Sequence, residues 1–110
     1  MSVYYSYWTG HAKDRLTPLK RCISGLTRLG HRDFKIGISS RPDGRWNEAY
    51  KGEYDRMLVV YSTNSARLIR RTEKDLTQWY QGWSENKILG GGGPIGTGPY
   101  FLYVVLKEKY

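Results

Sequence analysis

The chain has a single cysteine, Cys22, and two histidines, His11 and His31, among its 110 residues. One cysteine excludes a disulfide framework and a cysteine-rich zinc site, and two distant histidines do not make a metal site by themselves. Carboxylates are also scarce: ten Asp and Glu stand against eighteen Lys and Arg, a formal charge of +8. No carboxylate pair is spaced for sugar hydrolysis, and there is no supported Ser-His-Asp or Cys-His grouping. No nucleotide fingerprint is present. The glycine-rich loop at 90–98 lacks the G-K-[ST] ending of a phosphate-cradling loop and reads as a surface turn. No apolar run approaches the ~18 residues of a membrane span. The first residues lack a basic-then-apolar signal pattern. A membrane partner is therefore not expected, and the expected location is intracellular, in the cytoplasm or a nucleus.

What is present is cationic and aromatic. The length suits one domain, residues 1–110, with a single modest core. The basic residues fall on most of the expected elements instead of forming one tail, which points to a polyanionic partner, nucleic acid first. Ten tyrosines, four tryptophans and two phenylalanines could stack on bases, although most of them suit strands and core.

Residues 3–8 are rich in β-formers and predict a first strand. Thr17-Pro18 opens a helix whose Leu19, Cys22, Ile23, Leu26 and Leu29 share one face. Cys22 is read as a core residue of that helix, with no base near it in sequence. Phe34, Ile36 and Ile38 alternate with Lys35, Gly37 and Ser39, the pattern of a strand with one buried face. Ser40 and Asp43 then fit a capping box that opens a helix over about 41–51. Residues 57–62 form an apolar and hence central strand. A helix follows over about 66–81, and residues 100–106 form a last strand. The order is βα-βα-βα-β.

The helix at 66–81 has a broad apolar arc of Ala66, Leu68, Ile69, Leu76, Trp79 and Tyr80. Arg67, Arg70, Arg71, Lys74, Gln78 and Gln81 take the opposite side. Glu73 lies at the margin of the apolar arc, where a carboxylate is costly unless it is paired or bound to a cation. Together with a tyrosine on the first strand, Lys35 and Arg45, it suits phosphodiester cleavage. A carboxylate can hold a divalent cation, and an arginine can stabilise charge on phosphorus.

Lys35-Ile36-Gly37-Ile38-Ser39, followed by Arg45-Trp46 and the helix through Glu73, resembles the GIY-YIG nuclease family over about residues 3–83. The resemblance implies a small single-domain α/β sandwich, with a mostly antiparallel sheet of three to four strands flanked by helices. It also implies DNA cleavage with one divalent metal ion, usually Mg²⁺. Arg45 would stabilise the phosphate and Glu73 would be the metal ligand. Lys35 takes the place of the second motif's tyrosine. The first motif is not literal: Ser2-Val3-Tyr4 stands where Gly-Ile-Tyr would, and Tyr5 or Tyr7 fits the catalytic place. The histidine or tyrosine found one turn after the arginine would fall on Ala49, with Tyr50 one residue late. Arg41, Arg70 and Lys74 are candidate nucleic-acid contacts, and Asn86 a loosely placed late asparagine. In this reading the strand at 100–106 lies beyond the usual core.

Three functions follow as expectations. The first is a metal-dependent endonuclease, acting as a homodimer or through its own loops if it cuts at defined sites. The second is a non-catalytic nucleic-acid-binding module of the same fold. The third is a protein-interaction domain using residues 100–106 as a free sheet edge.

Overall fold

The computed structural model describes residues 3–8, 19–21, 23, 34–80 and 97–107, and for residues 4–8 the backbone alone. Four strands form one sheet: β1 (Val3–Trp8), β2 (Phe34–Ser39), β3 (Arg56–Thr63) and β4 (Tyr100–Leu106), in the order β1-β3-β4-β2. β4 runs antiparallel to both of its neighbours, β2 and β3, and β1 adds to β3 in parallel. Two helical segments are bounded: α1 (Pro42–Arg45), which runs into a π-helical turn at Trp46–Tyr50, and α2 (Ala66–Trp79). Leu19, Lys20, Arg21 and Ile23 are also helical.

The last strand corrects two expectations. β4 is neither an addition beyond the core nor a free edge. It is hydrogen-bonded to β2 on one side and β3 on the other, which leaves it no ladder groups to offer a partner chain. Its sequence explains the position: six of its seven residues are buried, as befits an interior strand covered on both faces.

Strand alternation divides the core into two layers. Phe34, Ile36, Leu102, Val104 and Leu106 point to one face, where they meet Ile69 and Leu76 of α2, Tyr80 just after it, and Leu19 and Ile23. Val59, Met57, Tyr103 and Val105 point to the other, against Trp46, Tyr50 and Tyr54. A register shift between Val59 and Tyr61 swings Tyr61 into the first layer. The Tyr80 hydroxyl donates to the Lys20 carbonyl at 3.0 Å, tying the helical residues near Leu19 to the end of α2.

Local chemistry departs from expectation at two points. The capping box at Ser40 and Asp43 is not formed. The N-cap of α1 is Arg41, without a side-chain cap, and Pro42 occupies the first turn, where its missing N–H costs nothing. Ser39 Oγ instead accepts from the Arg41 N–H at 2.9 Å. Trp79, assigned to the apolar arc of α2, is 60% exposed. It sits at the rim of that arc, with the Lys20 ammonium 3.6 Å from its ring centre. The N-terminus of α2 is conventional: Ser65 Oγ accepts from the Leu68 N–H at 3.1 Å. Cys22, the rest of the first helix after Ile23, Asn86 and the loop residues 90–96 lie outside the described residues. Among the described residues no helix is long and apolar enough to cross a membrane.

Candidate phosphate site on the tyrosine face of the sheet

Alternation along β2 sends Lys35 and Gly37 to the face opposite Phe34 and Ile36, the face that carries Trp46, Tyr50 and Tyr103. β4 places Tyr103 directly opposite Gly37 in the antiparallel register. A Cβ at Gly37 would run into the Tyr103 hydroxyl and ring, so glycine is what lets the phenol lie flat across β2. The glycine of the Lys35-Ile36-Gly37 motif thus has a steric function that its own strand does not reveal.

The Tyr103 and Tyr50 hydroxyls are 2.9 Å apart, and either can donate. Their rings meet edge to face, with centroids 5.6 Å apart. Arg45 closes the group. The neighbouring Tyr103 hydroxyl is the largest of the influences raising its pKa, and its guanidinium lies 5.6 Å from the Tyr50 ring centre. The Lys35 ammonium lies 5.8 Å from the same ring. Both phenols are buried, Arg45 is exposed and Lys35 is half-buried. The result is two cations at the rim of a buried tyrosine pair, facing solvent with their charges unopposed by a carboxylate in these contacts.

Tyr50 is five residues beyond Arg45, one too many for an α-helical turn. The chain from Trp46 to Tyr50 is a π turn, closed by the Lys51 N–H donating to the Trp46 carbonyl at 2.8 Å. Its wider turn brings residue i+5 back near residue i, so Tyr50 stands by Arg45 while Ala49 is exposed.

Burial raises the Tyr103 pKa well above the ordinary phenol value, chiefly by desolvation and then by its tyrosine neighbour, with Arg45 opposing. Tyr103 is therefore a neutral hydrogen-bonding group at physiological pH, suited to holding a guanidinium or orienting an oxygen and unsuited to being a proton-abstracting base.

The other candidates stand elsewhere. β1, which carries Tyr5 and Tyr7, is at the sheet edge opposite β2, three strand spacings away, or about 14 Å at ~4.8 Å each. Their side chains lie outside the described residues. Glu73 is on α2, in the same buried arc as Ile69 and Leu76, so the sheet stands between its helix and the Arg45 group. The residue is 5% exposed, and desolvation lifts its pKa to about 7, with the Arg70 charge opposing. Arg41 and Lys74 are exposed, and Arg70 is half-buried beside Glu73.

Glu73 is also the residue assigned a divalent ion, and the fit is poor. A magnesium ion keeps several waters and needs an ionised, accessible carboxylate. Here the carboxyl is covered, half-protonated near neutrality and next to a cation. Among the described residues no three His, Cys, Asp or Glu side chains gather as a metal site.

Tyr103 and Tyr50 are the members of this site that sequence reasoning did not select. Tyr103 sits in an apolar strand and reads as core. The available signal was its hydroxyl, which needs a partner wherever the ring is buried. Compared with known proteins, the chain matches no family model, no curated protein and no solved structure.

Proposed function

We propose that this chain is a GIY-YIG-like endonuclease that hydrolyses phosphodiester bonds in nucleic acid, DNA first, with one divalent metal ion, Mg²⁺ by expectation. The observation that carries this reading is the Arg45 guanidinium, presented to solvent and held from behind by Tyr103 and Tyr50, with Lys35 on the same ring. Phosphoryl transfer asks the protein mainly for positioning and charge stabilisation. Arg45 offers a planar fork matched to two phosphate oxygens, and Lys35 a point charge beside it. As water attacks and negative charge builds on the equatorial oxygens, those two cations stabilise the transition state more than the ground state. Tyr103 and Tyr50 keep the fork aimed.

One observation favours a second reading, a non-catalytic nucleic-acid-binding module on the same fold. The Glu73 carboxyl lies across the sheet from Arg45 and is covered, so the residue the activity would use for a metal is not at the phosphate site. No catalytic step is assigned to a metal ion in this arrangement. Supercoiled plasmid incubated with and without Mg²⁺ separates the two readings, using the unaltered chain, Arg45→Ala and Glu73→Gln. Metal-dependent nicking lost in both variants supports the endonuclease. Salt-sensitive binding with no nicking by any of the three supports the binding module and overturns the enzyme.

A further inference from the structure

The outer side of α2 is a second charged surface, and the Arg45 site does not use it. Arg67, Arg71 and Lys74 follow one another at i, i+4 and i+7, all exposed, along the side of the helix turned away from the sheet. An exposed basic helix face is ordinarily no more than a solvated one. Two neighbouring features set this one apart. Trp79, at the end of the same helix and about a third of a turn round from that row, is 60% exposed, the one exposed large apolar side chain among the described residues. The Lys20 ammonium sits over one face of its indole at 3.6 Å, and Arg21 beside Lys20 is also exposed. With that much of the ring still exposed, the indole has surface left on which a planar group can stack.

Cations in a row beside an exposed aromatic ring are the parts of a single-strand binding surface. The charges track a backbone, and the ring takes a base regardless of sequence. A duplex keeps its bases stacked inside and has none to give Trp79. We propose that the outer ridge of α2, Arg67, Arg71 and Lys74, together with Trp79 on the flank between that ridge and Lys20, binds single-stranded nucleic acid, one base stacking on Trp79. This surface and the Arg45 group lie on opposite sides of the sheet, so a straight duplex seated on one cannot also lie on the other. The chain is thereby suited to nucleic acid that presents an unpaired strand beside a duplex. The inference shares the nucleic-acid partner with the proposed function but does not depend on cleavage.

The test is fluorescence anisotropy with a labelled single-stranded 20-mer and a labelled linear duplex, read without cutting. Variants are Trp79→Ala, Trp79→Phe, the triple Arg67→Glu/Arg71→Glu/Lys74→Glu, and Arg45→Ala, each checked for an unchanged circular dichroism spectrum. Trp79→Ala is expected to weaken single-strand binding by about 5- to 100-fold, the range of one lost base–aromatic stack, and to leave duplex binding unchanged. Trp79→Phe restores most of the loss. The triple variant weakens single-strand binding further and lowers its log–log salt slope by about 2, three phosphate contacts at ~0.7 each. Added to Arg45→Ala, Trp79→Ala weakens single-strand binding by the same factor as in the unaltered chain. Single-strand affinity unchanged in both Trp79→Ala and the triple variant overturns the proposal. Absence of plasmid nicking, by contrast, bears on the endonuclease alone.

Discussion

The two faces of the sheet treat ionisable groups in opposite ways. On the tyrosine face, the charges stand at the rim and the buried polar atoms are neutral phenols bonded to one another, with Arg45 beside them. On the aliphatic face, a carboxyl is pushed into the layer with Ile69 and Leu76, and burial moves its pKa up to about 7. The first arrangement holds cationic charge at the surface at little cost, because a phenol loses less on burial than an ion does. The second pits the carboxylate's charge against its surroundings. A buried titratable group and an exposed arginine backed by buried phenols are thus two different uses of burial within one sheet.

Breaking the tyrosine face at its charge should have the largest effect. Arg45→Ala is expected to lower the cleavage rate by about 100- to 1000-fold, the usual loss for one preorganised transition-state donor, with little change in melting temperature because Arg45 is exposed. Breaking the aliphatic face at its packing comes next. Leu102 is fully buried, and Leu102→Ala should cost about 2–5 kcal/mol in denaturant unfolding. Gly37→Ala tests the close approach of β2 and the Tyr103 ring, and overpacking there should cost about 1–3 kcal/mol and lower activity as Tyr103 and Arg45 shift together.

The smallest effect probes Glu73, through pH. Its folded pKa, raised to about 7, exceeds the unfolded carboxyl value of ~4.3, so the folded chain holds the extra proton between those values. Its contribution to stability is therefore greatest below pH ~4.3, falls as pH rises towards 7, and levels off above. Glu73→Gln should remove that slope and raise stability at pH 8 by about 1–2 kcal/mol, measured by urea unfolding across pH. A variant less stable than the unaltered chain at pH 8 would mean that the ionised carboxylate is held by a favourable partner.

Much of the fold is legible in single stretches of sequence. The period-2 pattern at Phe34–Ser39, the β-rich runs at 3–8 and 100–106, and the helical arc around Ile69 and Leu76 are local properties, and each element lies close to where its stretch put it. Pairing is not local. Nothing in Tyr100–Leu106 alone says that it will enter between β2 and β3, and so nothing placed Tyr103 beside Gly37. The same gap hid the π turn, whose i+5 bond depends on Tyr50 docking against a residue 53 positions away. The nearness of Lys35, Gly37 and Arg45 was legible because they lie on neighbouring elements. Tyr103 was missed because its partners are distant in sequence.

The central claim is that Arg45, held by a phenol from β4, acts on nucleic acid. The most direct measurement is the initial nicking rate of supercoiled plasmid by Tyr103→Phe, compared with the unaltered chain and with Arg45→Ala at equal folded fraction. Removing one hydroxyl leaves the ring and its packing but takes away the polar atom beside the guanidinium and its bond to Tyr50. The expected result is a Tyr103→Phe rate between the other two, about 10-fold or more below the unaltered chain, a loss of ~1.4 kcal/mol or more. Equal rates for all three proteins would contradict it.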